Sequence, residues 1–256
     1  ACREILEREA SKIMQRRFKV QEVSCASRCG EGCRFHLLQE GAKNIQVGKA
    51  QLAKAGKGIC GDCGSNVMLE EGKQLLMISD GMGAGMKAAL QSGTAINMLS
   101  RLLEVGFQKD TAIDTVNTIL MLQGGEESFV TLDMCFLDLY QNTAEFIKTG
   151  AAPSFIKRGN QVQVIKSNSL PVGMLQTVEK AVVTEQLTEG DMVILASDGL
   201  LDADNQIDVE WLVHLLENTN INDAQDMAEF LLGKAIKISG GRLRDDITIL
   251  VATVDA

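Results

Sequence analysis

Histidine is nearly missing from this chain: His36 and His214 are the only two in 256 residues. His214 sits in Trp211-Leu212-Val213-His214-Leu215-Leu216, the pattern of a helix flank, and His36 follows a cysteine-bearing segment. A Ser-His-Asp triad would have to take its base from His36, and the chain has no nucleophile elbow, so triad hydrolysis is set aside. Proline is as scarce, and Pro153 and Pro171 each mark a strand boundary. No stretch approaches the roughly 18 uncharged apolar residues that a membrane-crossing helix needs. The opening Ala1-Cys2-Arg3-Glu4 has neither a basic nor an apolar leader region, so no signal peptide is expected and the chain reads as a fragment lacking an upstream part. Positive charge is short too. Twenty-five basic residues against thirty-four acidic ones leave a net charge of -9, which repels a polyanion and argues against nucleic acid as a partner.

Seven cysteines are too few for a disulfide scaffold, and an odd number suits reduced thiols. Cys25, Cys29 and Cys33, followed by His36, have a spacing that could converge on a metal, and Cys60 with Cys63 forms a CxxC pair. Spacing alone admits either a metal site or free thiols. A cysteine phosphatase loop is excluded. Cys2 and Arg8 have the required spacing, but the residues between them are helical and acidic, with no glycine to turn backbone amides onto a phosphate.

What the chain does have is a dense alternation of short apolar runs and longer amphipathic ones. Ile5, Leu6, Ala10, Ile13, Met14 and Phe18 predict a helix over 1–20, followed by a cysteine- and glycine-bearing loop to about Gly41. Strands are expected over 44–53, 65–69, 75–79, 129–140, 143–149, 154–157, 162–165, 178–186, 192–196 and 247–254, and helices over 86–105, 110–122, 208–218 and 223–239. Grouped strands with paired helices predict an α+β fold of packed antiparallel sheets. Residues 1–42 are expected to be a regulatory or dimerisation segment and 43–256 the catalytic domain.

Two strand-like runs end alike, Leu75-Leu76-Met77-Ile78-Ser79-Asp80-Gly81 and Val193-Ile194-Leu195-Ala196-Ser197-Asp198-Gly199. Each delivers an acid at a strand mouth, and the following glycine lets backbone approach whatever that acid binds. Asp62 follows Cys60-Gly61, and Asp245-Asp246 opens the last strand. Carboxylate, carbonyl and water oxygens are the ligands that Mg²⁺ and Mn²⁺ prefer, and a pair of such ions can promote hydrolysis without histidine.

The ordered set Cys60-Gly61-Asp62, Asp80-Gly81-Met82-Gly83, the run from Gly150 to Gly159, Ser169-Leu170-Pro171-Val172-Gly173, Ser197-Asp198-Gly199 and Asp245-Asp246-Ile247-Thr248 resembles the stage II sporulation protein E family of phosphatase domains. That family lies within the PPM group of metal-dependent serine/threonine phosphatases, and the likeness runs from about Asn44 to Val254. The resemblance implies a PPM-type sandwich of two central antiparallel β-sheets flanked by helices, with a pair of ions, Mn²⁺ or Mg²⁺, in a cleft at one end. It implies that Asp80 bridges both ions, that the Gly81 carbonyl binds one, that Asp198 and Asp245 complete the other, and that Asp62 binds an ion or its waters. Asp246 has a supporting role. The implied reaction is hydrolysis of phosphoserine on an anti-anti-sigma factor by a metal-activated water, in control of sporulation. The family further implies a cytoplasmic domain whose full-length protein is anchored to the membrane upstream. The helix over 1–20 offers a face for a homodimer. A stress-response phosphatase of the same fold and a non-catalytic phosphoprotein-binding domain are the alternatives.

Overall fold

The computed structural model describes residues 2–14, 18–24, 34–39, 44–54, 58–69, 72–83, 85–122, 129–204 and 207–255. By internal contacts they form two units, 1–43 and 44–256.

The first unit holds α1 (Cys2–Met14) and an antiparallel pair, β1 (Phe18–Ser24) and β2 (Arg34–Gln39). Of the helix expected over 1–20, Cys2–Met14 is helix whereas Phe18–Val20 is strand, and part of the expected loop is strand too. Phe18 and Val20 fit both a helical spacing and a two-residue alternation, and pairing with β2 decides for the strand. The helix end is then tied back onto β1: Val20 N donates to Glu7 Oε1 at 2.9 Å and Phe18 N to Ser11 Oγ at 2.9 Å. Cys25, Cys29 and Cys33 lie outside the described residues.

The second unit is a four-layer sandwich. One sheet has the order β10-β7-β6-β5-β4, from β4 (Asp62–Leu69), β5 (Lys73–Asp80), β6 (Leu132–Asp138), β7 (Thr143–Thr149) and β10 (Ala181–Gln186). The other has the order β3-β12-β11-β8-β9, from β3 (Ile45–Leu52), β8 (Ser154–Arg158), β9 (Gln161–Ile165), β11 (Met192–Ala196) and β12 (Ile247–Val254). All the pairings are antiparallel. Alternation along β5 explains its unbroken apolar run. Leu76 and Ile78 face the other sheet, meeting Val193, Leu195, Leu250 and Ala252. Leu75 and Met77 face outward, against Ile96, Leu99, Ile113 and Val116 of α2 (Met86–Glu104) and α3 (Lys109–Leu122). The second sheet is covered likewise by α5 (Val209–Glu217) and α6 (Ala224–Ile238), with α4 (Asp198–Leu201) a single turn after β11. Both longer helices are capped as their sequences suggest: Asp208 accepts from Trp211 N and Asp223 from Asp226 N. Each fully buried Leu, Ile or Phe in these layers contributes about 1.5–3 kcal/mol, enough for the core to fix the register that aligns the strand ends.

The two edge strands β3 and β4 are joined by side chains. Lys49 Nζ donates to Gly64 O at 2.8 Å and Gln51 Nε2 to Asp62 O at 3.0 Å. These residues are two apart on β3 and so share a face, and the bonds occupy carbonyls that β4 would otherwise present as an open edge.

Candidate metal centre

Asp62 begins β4 and Asp80 ends β5, and the antiparallel register sets them directly opposite each other. The sequence reading starts β4 three residues late, because Cys60-Gly61-Asp62-Cys63-Gly64 resembles turn chemistry. Asp198 follows β11 as the first residue of α4, and Asp245 precedes β12, which pairs with β11. All four acids belong to the same end of the sandwich.

Their electrostatics show that they face one another. The Asp80 carboxyl is pushed up to about 8 by burial and by the charges of Asp62, Asp198 and Asp245. Asp62 is pushed up to about 6, mainly by burial, with the neighbouring Ser197, Thr248 and Asp80 side chains acting in the opposite direction. Asp198 is raised by burial, then by Asp245 and Asp202. It is also the most solvent-exposed of these three acids. Like charges held out of water in this way lower their mutual repulsion by taking up protons or by binding a cation.

A hard divalent cation fits these residues. Asp62 Oδ2 is buried without a hydrogen-bond partner, which is costly unless something outside the chain meets it. Gly81 and Gly199 are places where backbone must come close: a Cβ on Gly81 would lie 2.2 Å from Ala88 O, and one on Gly199 2.0 Å from Asp246 O. Among the described residues, no three His, Cys, Asp or Glu side chains enclose a single ion. Mg²⁺-type sites do not need such a cage, since one or two carboxylates with several waters and a substrate phosphate suffice.

Sequence reasoning missed the residues that hold this end together. Asp80 N donates to Thr131 Oγ1 and Thr131 N to Asp80 O, each at 3.0 Å. Ser197 N donates to Thr248 O and Thr248 N to Ser197 Oγ, each at 2.9 Å. Asp246, given only a supporting role from sequence, accepts Lys54 N on Oδ1 at 2.7 Å and Gly61 N on Oδ2. Both its oxygens are engaged by backbone, so it is not a free ligand. Cys60 and Cys63 are free thiols raised above their ordinary value, chiefly by burial, and so are poor nucleophiles.

The family model described as Stage II sporulation protein E (SpoIIE) matches residues 70–255. The chain is 36% identical over 213 residues to stage II sporulation protein E of Bacillus subtilis (strain 168), covering 82% of this chain and 26% of that protein. It is 32% identical over 253 residues to stage II sporulation protein E of Priestia megaterium, covering 98% of this chain and 43% of that protein. The chain thus spans less than half the length of either relative. The solved PP2C phosphatase domain of SpoIIE from Bacillus subtilis, with a fragment of its regulatory domain, superposes with a TM-score of 0.86 at 31% identity, covering 99% of this chain and 74% of that one. This chain belongs to the stage II sporulation protein E family, and its fold is that of the PP2C phosphatase domain.

Proposed function

We propose that this member of the family is a metal-dependent protein serine/threonine phosphatase acting on a phosphorylated anti-anti-sigma factor. The observation that carries the reading is the convergence of Asp62, Asp80, Asp198 and Asp245 at one end of the sandwich, with Asp80 pushed up to about 8. Asp62, Asp80, Asp198, Asp245 and the Gly81 carbonyl would together hold a pair of divalent ions. When bound, Mn²⁺ or Mg²⁺ supplies positive charge to the phosphoryl group and lowers the pKa of water at the site. The chain contributes fixed carboxylate positions, set by the Asp62–Asp80 register and by the Ser197–Thr248 bonds, so that little reorganisation accompanies the reaction.

Among the described residues no helix is long and apolar enough to cross a membrane; anchoring of the whole protein to a membrane through an upstream segment is part of the proposal. The exposed Ile5, Ile13 and Met14 of α1 are the surface we assign to a homodimer.

The test is hydrolysis of a generic phosphoester, then of a phosphoserine anti-anti-sigma protein, with Mn²⁺, with Mg²⁺ and with EDTA. Activity should require the metal and survive iodoacetamide. Undiminished turnover in excess chelator would overturn the proposal.

A further inference from the structure

We infer that Ser92 and Asp246 are positioning residues that hold the Gly61 backbone from its two sides and thereby set where Asp62 stands relative to Asp198 and Asp245. The inference rests on the metal-site reading above. Gly61 N donates to Asp246 Oδ2, and Ser92 Oγ, fully buried on α2, donates to Gly61 O at 2.5 Å. The residue just before Asp62 is therefore gripped at both its amide and its carbonyl, by side chains from two distant segments.

Asp246 reaches the other acids too. It directly follows Asp245, its N–H donates to Asp245 Oδ1 at 2.9 Å, and its carbonyl lies against Gly199, next to Asp198. One buried residue thus links the segments bearing Asp62, Asp198 and Asp245, its carboxylate reaching the first and its backbone the other two. Ser92 adds the helix. Its hydroxyl stands 3.4 Å from Ala89 O, the bond a helical serine makes back onto its own turn, and reaches instead to Gly61 at 2.5 Å. Ala88, one turn earlier, packs against Gly81, so the first turns of α2 touch both glycine-bearing segments.

A serine that merely filled space would be replaced by alanine without loss, since alanine is the better helix former. The two roles therefore predict opposite results for Ser92→Ala. If Ser92 positions Gly61, Mn²⁺ binding weakens by about 10- to 100-fold, the scale of outer-shell partners of metal ligands, and the thermal midpoint in chelator falls because the Gly61 carbonyl loses its buried donor. Asp246→Asn should weaken binding similarly, because an amide group keeps the shape but can accept only one of the two backbone N–H groups. The double variant should lose less than the product of the two effects, as both act through one residue.

The experiment is calorimetric titration of the full chain with Mn²⁺ alone, for the unmutated protein, Ser92→Ala, Asp246→Asn, the double variant and Asp62→Asn. Ser100→Ala, whose hydroxyl bonds back to Ile96 O on the same helix, is the control and should bind as the unmutated protein does. Unchanged binding in Ser92→Ala alongside loss in Asp62→Asn would overturn the positioning inference and leave the metal site standing. Unchanged binding in Asp62→Asn would overturn the metal site itself. Should Asp246→Asn fail to fold, Ser92→Ala decides alone.

Discussion

Two neighbouring regions between the sheets take charge out of water, and they do it in opposite ways. Asp133 on β6 pairs in register with Ile78, two residues before Asp80, and on its other side with Lys148 of β7. Lys148 Nζ stands 2.6 Å from Asp133 Oδ1 and donates to Ser154 Oγ at 2.7 Å, and Ser154 Oγ donates to Asp133 Oδ2, closing a ring that joins the two sheets. Asp62 and Asp80, just beyond, lie instead against other carboxylates, and both are raised. A buried acid matched by a cation is finished as structure, whereas one matched by acids still lacks a counter-charge. Burial alone does not separate the two regions. The sign of the neighbour does.

The sharpest break in that comparison is at Asp80. Asp80→Asn keeps the volume and removes the charge, so turnover should fall by about a thousandfold or more, corresponding to the several kcal/mol a metal supplies to phosphoryl transfer. The fold should survive. In chelator above pH 8, where Asp80 is ionised, the variant should melt no lower than the unmutated protein, since a like charge has left the cluster. Wild-type turnover at saturating Mn²⁺ would remove Asp80 from the site.

Lys148→Met tests the other region and should do the reverse. It leaves Asp133 buried and uncompensated, at a cost of about 3–5 kcal/mol, which for a unit of this size lowers the midpoint by roughly 10 °C. Turnover per folded molecule at saturating metal should stay close to that of the unmutated protein. Adding Asp133→Leu should restore most of the stability. Urea denaturation followed by fluorescence measures both steps, and a double variant as unstable as Lys148→Met would mean that the pair does more than neutralise itself.

The two regions differed as much in how far sequence revealed them. Asp80 and Asp198 were legible because each ends a run of apolar residues, and such runs are buried on both faces wherever helices cover both sheets. The Asp133–Lys148–Ser154 ring was not. Its members come together through the β6–β7 register and the facing of two sheets, and neither leaves a local pattern. Ser92 and Thr131 escaped for the same reason: a hydroxyl that bonds to a distant backbone looks like any surface serine or threonine. The β1–β2 hairpin was lost to a different ambiguity, because Phe18 continues the spacing of α1 as readily as it begins a strand.

The smallest expected effect, and the one that compares the regions most directly, is the pH dependence of metal-free stability. In the folded chain burial and like charges push the Asp80 carboxyl up to about 8 and burial pushes that of Asp62 up to about 6, against about 4 for an unfolded aspartate. The folded state therefore binds more protons than the unfolded state between pH 4 and pH 8. Stability must fall as pH rises through that window, and it levels off above 8, where both states have lost these protons. Because the two acids interact and Asp80 is not fully enclosed, the combined change should be about 1–2 kcal/mol. Other groups titrate in the same range, so the quantity to measure is a difference: thermal unfolding in EDTA from pH 5 to 8.5, for the unmutated chain and for Asp80→Asn. The unmutated chain should lose more stability with rising pH than Asp80→Asn does. Mn²⁺ binds the deprotonated carboxylates, so its stabilising effect should grow over the same interval. Equal slopes for the unmutated chain and Asp80→Asn would mean that the fold does not hold Asp80 against its neighbours, and the contrast with Asp133 would lose its electrostatic basis.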